Sequence, residues 1–139
     1  MNRKNRLNFI QFLAINSKLI HISDTWSDLW VLVFYTRMSV GRLIDLQYKD
    51  IDGHSLLLRE HGRLKEQCIE LTTPVEKILE RRRKQYPDDI YVFQSHSNRV
   101  KSSPRPVTVI AFNAALRKAS SNMPGLKVCS SSARSVSKQ

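Results

Sequence analysis

The sequence predicts a mainly α domain carrying a small antiparallel β-sheet, an α+β fold. Three observations lead there. Trp26, Leu29, Trp30, Val33 and Phe34 recur at i, i+3, i+4, i+7 and i+8, the stripe of a helix buried along one side. Between Ser55 and Leu71 two short runs flank His61-Gly62-Arg63. The second run alternates Cys68 and Glu70 against Ile69 and Leu71, the period-two pattern of a hairpin strand. Finally, Thr73-Pro74-Val75-Glu76 combines a capping hydroxyl, a proline at the first helical position and a capping-box carboxylate, which together start a further helix.

Taken in order, residues 5–20 read as a helix, either a basic arm or the first helix of the core. His21 to Asp24 breaks it, and Ser23 or Asp24 caps the helix of the aromatic stripe. Met38 to Gly41 forms a turn, and Arg42 to Leu46 a short helix with Leu43, Ile44 and Leu46 inward. Ile51-Asp52-Gly53 turns the chain into a strand over Ser55 to Glu60, and Gln67 to Leu71 returns as its partner. The helix from Thr73 turns Val75, Ile78 and Leu79 inward. It ends at Arg81-Arg82-Arg83-Lys84, a solvated run that complements the helix dipole. Tyr91-Val92-Phe93 is a short apolar segment, and Gln94 to Pro106 a polar, basic loop. Val107 to Ser120 is the last helix, with Val109, Phe112, Leu116 and Ala119 on one side. Seven serines from Ser120 onward indicate a frayed helix or a disordered tail. The 139 residues suit one domain with a modest core. We divide them into an N-terminal basic arm or helix (1–22), the main domain (23–134) and a tail (135–139).

Composition narrows the function classes. The chain is 41% hydrophobic and 25% charged, ordinary for a soluble globular protein, and its longest apolar run, Leu29 to Tyr35, is too short to span a bilayer. No signal peptide is visible, so Cys68 and Cys129 are expected as free thiols in a reducing cytoplasm, a bacterial cytoplasm or nucleoid. The formal charge is +11 and it is unevenly spread. Residues 1–70 carry 10 basic and 8 acidic side chains, whereas residues 71–139 carry 13 and 4. From Ile90 onward there are eight Lys or Arg and no carboxylate. That asymmetry points to a polyanion, with double-stranded DNA as the expected partner and a membrane surface a poorer fit. His21, His54, His61 and His96 lack metal-ligand spacing, the four glycines form no phosphate loop, and Asp50 with Asp52 reads as a turn. No cofactor or metal is expected.

One stretch carries more. Thr36-Arg37-Met38-Ser39-Val40-Gly41-Arg42-Leu43-Ile44-Asp45-Leu46, followed by Tyr48-Lys49-Asp50-Ile51-Asp52, resembles the first motif of the tyrosine recombinase (phage integrase) catalytic domain. That motif reads roughly T-G-[LM]-R-[IV]-[SG]-E-[LI]-L-x-L. The hairpin Tyr48 to Leu71, the helix Thr73 to Tyr86, Tyr91-Val92-Phe93-Gln94-Ser95, the helix around Phe112 to Ala119, and Ser131-Ser132-Ala133-Arg134 at the place of H-x-L-R follow in the family's order. The resemblance covers Trp26 to Arg134 and implies a shortened recombinase-like fold. Active members cleave DNA with a tyrosine, while two arginines stabilise the phosphate in the transition state and a hairpin lysine protonates the leaving oxygen. Loss of one such preorganised donor costs on the order of 10²–10³ in rate. Here Ser39 stands at the first arginine, Glu60 at the hairpin lysine and Ser131 at the histidine. Arg134 alone matches, and Arg37 replaces a glycine. The chain ends five residues after Arg134, so the L-G-H region and nucleophilic tyrosine are not in it.

The resemblance therefore implies a catalytically inactive DNA-binding protein, a transcriptional or mobile-element accessory regulator. Its expected phosphate contacts are Arg37, Arg42, Arg59, Arg63, Lys65, Arg99, Lys101, Arg105, Arg117, Lys118, Lys127 and Arg134. Two alternatives stay open. One is a recombinase or integrase, as a fragment or complemented by a partner. The other is a protein-interaction module, in which a surface left bare by missing C-terminal helices meets a second copy or another protein.

Overall fold

The computed structural model describes residues 6–96 and 103–136. In chain order the elements are α1 (Phe9–Ile22), α2 (Asp24–Thr36), α3 (Val40–Ile44), β1 (Ile51–Asp52), β2 (Ser55–Leu58), β3 (Gln67–Glu70), α4 (Thr73–Gln85) and α5 (Val109–Ala119), with 3₁₀ turns at Tyr48–Asp50 and Ser132–Ser135. This is the α+β architecture expected. The chain forms two compact units, one built from residues up to Val40 and from Thr108 onward, the other from Gly41–Val107.

In the first unit α1 packs on α2 and α5, and the C-terminal 3₁₀ turn packs on α2. Helix α1 starts with a reciprocal cap. Asn8 Oδ1 accepts from the Gln11 N–H at 2.7 Å, and Gln11 Oε1 accepts from the Asn8 N–H at 2.9 Å. Ser23 then takes the extended backbone that separates the two helices, and its hydroxyl accepts from the Thr25 N–H. The aromatic stripe of α2 is the core. Leu29, Trp30, Leu32 and Val33 are fully buried, with Trp30 5.4 Å from Phe12 and Trp26 5.6 Å from Phe112, ring to ring. The Trp30 indole finds the polar partner that burial demands, donating to the Phe12 carbonyl at 3.2 Å. Up to Val136, the last described residue, the serine-rich end is packed rather than frayed. Ala133 and Val136, three apart, are both buried and fasten the 3₁₀ turn to the unit.

In the second unit β1, β2 and β3 form one antiparallel sheet, with Leu56 paired to Ile69 and Leu58 to Gln67. Leu56 and Leu58 face inward with Leu43, Leu46, Leu71, Val75, Leu79, Val92 and Phe93. The Tyr91–Ser95 segment is held by backbone hydrogen bonds on both sides. Val92 N–H donates to the Leu46 carbonyl at 3.0 Å and Ser95 N–H to the Arg105 carbonyl at 2.8 Å.

Two local expectations change. Helix α4 is capped by Thr72, without a side-chain bond, in place of Thr73. The expected capping-box carboxylate of Glu76 instead meets His54 Nδ1 at 2.7 Å. The Arg81–Lys84 run is not wholly solvated either. Arg82 lies seven residues after Val75 and three after Leu79, on the apolar stripe, and is fully buried. Its Nε donates to the Val92 carbonyl at 2.9 Å, and its guanidinium lies 5.3 Å from both the Tyr86 and Phe93 ring centroids.

Candidate nucleic-acid interface

In the first unit, α2 ends at Arg37, which adopts left-handed backbone (φ 59, ψ 17) and donates its N–H to the Val33 carbonyl at 2.9 Å. A side chain in that conformation costs roughly 1 kcal/mol against glycine. Bonds made by the guanidinium offset that strain. Arg37 Nη1 donates to the Arg134 carbonyl at 2.7 Å and the Ala133 carbonyl at 3.3 Å, and its plane lies 4.9 Å from the Phe34 ring centroid. Arg134 answers by donating its Nε to the Arg37 carbonyl at 2.9 Å. Two cations thus hold each other's backbone, each satisfying carbonyls bared at the end of a helical segment. Arg134 remains exposed, and its terminal nitrogens have no protein acceptor among the described residues.

Ser39 follows two residues later, its hydroxyl buried and without a hydrogen-bond partner among the described residues. Ser131 is exposed, its hydroxyl 3.2 Å from Cys129 Sγ. The Cys129 thiol is pulled both ways. Burial pushes its pKa up, but hydrogen bonds from the Ser131 and Ser132 hydroxyls and from their backbone outweigh that, and the net shift is downward. Arg117 and Lys127 line an open groove of about 760 Å³ between α5 and the following loop, with Asn113, Met123, Leu126 and Val128. Asn113 braces this loop by accepting from the Ser130 N–H at 2.8 Å. Lys118 is exposed in the last turn of α5.

In the second unit the hairpin tip turns at Gly62 (φ 58), closed by His61 N–H to the Leu64 carbonyl and Leu64 N–H to the His61 carbonyl. Arg63 and Lys65 are exposed there. Gly41 lies against the hairpin tip, where an added Cβ would stand 2.9 Å from Nε2 of the half-exposed His61 side chain. Glu60 is exposed at the base of the tip, and Arg105 is exposed beyond it.

Two expected phosphate contacts are placed differently. Arg42 is only 6% exposed. Its Nη2 donates to the carbonyls of Leu58 (3.3 Å), Arg59 (3.2 Å) and Lys65 (2.8 Å), so it ties the two sides of the hairpin and does not face solvent. Arg59 forks onto the buried Asp50 carboxylate, with Nη2 to Oδ1 at 2.9 Å. The hydrogen bond and charge of Asp50 hold the Arg59 pKa above its usual value. Asp50 also accepts from the Gln47 N–H at 3.1 Å, the turn role read from sequence. Both arginines depart from the family motif, Arg37 at its glycine and Arg42 at its glutamate, but the departure alone does not tell which partners either side chain meets. Arg99 and Lys101 lie outside the described residues. Among the described residues no cluster of three His, Cys, Asp or Glu is placed to hold a metal ion, and no helix is long and apolar enough to cross a membrane.

Comparison with protein-family models and with curated proteins finds no match. Among solved structures the chain resembles that of a lambda integrase(75-356) dimer bound to a COC' core site, with a TM-score of 0.76 at 16% identity over 97% of this chain. The chain spans 51% of the length of that solved chain. Mostly helical with a small three-stranded antiparallel sheet, this polypeptide has an integrase catalytic-domain-like fold.

Proposed function

We propose that this protein binds double-stranded DNA through phosphate contacts and does not cleave it. One observation carries the reading: a fold like that of a DNA-bound integrase presents, on each unit, exposed cations that have no acidic partner among the described residues. In the first unit Arg117, Lys118, Lys127 and Arg134 are exposed with no carboxylate partner among the described residues. Arg63, Lys65 and Arg105 are so in the second. Arg42 and Arg59, occupied by carbonyls and by Asp50, leave the proposed contact set. Inactivity is supported by chemistry at the positions the resemblance assigns to catalysis. Ser39 offers a neutral buried hydroxyl, Glu60 a negative charge that repels phosphate, and Ser131 a neutral hydroxyl turned to Cys129. A regulatory or mobile-element accessory role is the corresponding biological reading.

Duplex binding measured across a salt series tests the proposal. We expect log K to fall linearly with log salt, at about 0.9 per phosphate neutralised. No binding at low salt would sink it. Incubation with a nicked suicide duplex, followed by a denaturing gel, tests inactivity, and a covalent protein–DNA adduct would restore the recombinase reading. A second reading, self-association, is favoured by Ile10, Leu13 and Ile20. These form a stripe on α1 that is 77%, 45% and 54% exposed, and the solved integrase is a dimer. A monomer in light scattering at high protein concentration would exclude it.

A further inference from the structure

We infer that Arg37 is a positioning residue for the proposed DNA contact, fixing the Arg134 guanidinium so that its outer edge meets a phosphodiester. The inference rests on the DNA-binding reading and goes beyond it. An exposed arginine ordinarily samples many rotamers, and immobilising it on a phosphate costs binding free energy. Here the arginine is already held. Its Nε is committed to the Arg37 carbonyl at 2.9 Å, which sets the plane of the fork. The backbone that carries it is held in turn, because Arg37 Nη1 takes the Arg134 carbonyl at 2.7 Å and the Ala133 carbonyl at 3.3 Å. Ala133 itself is fully buried, so the 3₁₀ turn is anchored below the clasp. What remains of Arg134 is its two terminal nitrogens, exposed and without a protein acceptor among the described residues. They present the parallel donors that suit a phosphate. Arg37 has its own guanidinium occupied by carbonyls, and so acts through Arg134.

A double-mutant cycle on the whole chain separates this from two rival roles for Arg37, a direct phosphate contact and a plain helix cap. The variants are Arg37→Gly, Arg134→Ala and their combination, with duplex affinity and its salt dependence as readouts. Glycine suits the left-handed backbone, so Arg37→Gly removes the side-chain half of the clasp, the bonds to the Ala133 and Arg134 carbonyls, without straining the cap, and leaves only the residue-37 carbonyl to hold Arg134. We expect Arg134→Ala to weaken binding about tenfold and to lower the salt slope by about one. Arg37→Gly should reproduce most of both losses, and the double variant should lose no more than about twofold beyond Arg134→Ala. Arg37→Lys, which keeps a cation but has no planar fork, should behave like Arg37→Gly, and it serves in the same cycle if the glycine variant does not fold. Additive losses, with the slope falling by about two in the double variant, would make Arg37 an independent contact and overturn the inference. Unchanged affinity in Arg37→Gly would reduce it to a cap and overturn it equally. If the parent binds no duplex at all, the DNA-binding reading falls first and the positioning role falls with it.

Discussion

Replacing Arg42 by methionine is the sharpest test of how the second unit is held together. Methionine keeps the length and apolar stem of the side chain and deletes only the charged fork. Three carbonyls then lose their shared donor, that of Lys65 at 2.8 Å and those of Arg59 and Leu58 at 3.2 and 3.3 Å. A hydrogen bond to a charged group is worth about 1.5–3 kcal/mol. A single Nη2 has two hydrogens for three acceptors, so the bonds do not add in full. Arg42 Nε is also buried without a partner, a cost that methionine removes. The balance is about 2–4 kcal/mol of destabilisation. With a urea slope of about 2 kcal/mol/M, within the range for a small protein, the unfolding midpoint should move down by about 1–2 M. Amide exchange should quicken first over residues 59–66, where the fork ties the hairpin's two sides. An unchanged midpoint combined with a tenfold loss of duplex affinity would refute the reasoning. In that case the guanidinium reaches phosphate, and the carbonyl bonds are incidental.

Two further outcomes follow from the ionisable groups. The His54 pKa is raised, first by its hydrogen bond to Glu76 and then by the charge of that carboxylate. A folded-state value above the unfolded value of about 6.5 means that the pair stabilises fully below that pH and loses its effect as pH rises through the folded value. The stability difference between the parent and His54→Gln should therefore be larger at pH 5.5 than at pH 8.5, and a difference independent of pH would count against the pair. Cys129 should alkylate with iodoacetamide at pH 7.5 several-fold faster than in a Ser131→Ala/Ser132→Ala variant, because its lowered pKa comes from those hydroxyls against the effect of burial. Equal rates by mass spectrometry would show that the hydroxyls do not stabilise the thiolate.

What the sequence made legible was whatever depends on period and on neighbours along the chain. The stripe from Trp26 to Phe34 became α2, and the alternation of Cys68 to Leu71 became β3 and its exit. What it concealed depended on partners far away. Glu76 had the spacing of a capping box, but His54 on the preceding hairpin offers a shorter route to satisfaction. Arg82 looked like one of four solvated cations. The Tyr86 and Phe93 rings and the Val92 carbonyl make an interior site for it, and nothing in the spacing along the chain joins Arg82 to the Val92–Phe93 segment. The serine-rich end looked too polar to pack, yet Ala133 and Val136 suffice to anchor a single 3₁₀ turn. At the candidate interface the residue types were legible and their engagement was not. An arginine in a motif reads the same whether it faces a phosphate or a carbonyl.

That last distinction alters what a charge of +11 means. Three of the arginines expected to meet phosphate have three different electrostatic fates. Arg59 meets a carboxylate, so at a distance the pair with Asp50 carries almost no net charge, and Arg59 adds little to attraction or to contact. Arg42 meets only neutral carbonyls and keeps its full charge. It contributes to the long-range field that steers a polyanion inward, but its burial keeps it from touching one. Arg134 keeps both its charge and its exposed edge, so it can release a counterion on contact as well as attract from afar. Association rate and the salt dependence of equilibrium binding therefore count different residues. The rate responds to every uncompensated cation, buried or not, within about a Debye length, whereas the equilibrium slope counts only those that reach a phosphate. A neutral replacement of Arg42 thus bears on the first quantity and a replacement of Arg134 on both, while a neutral replacement of Arg59 slows association by leaving the Asp50 carboxylate uncompensated. Net charge read from composition cannot make that separation, because it assigns all three the same value.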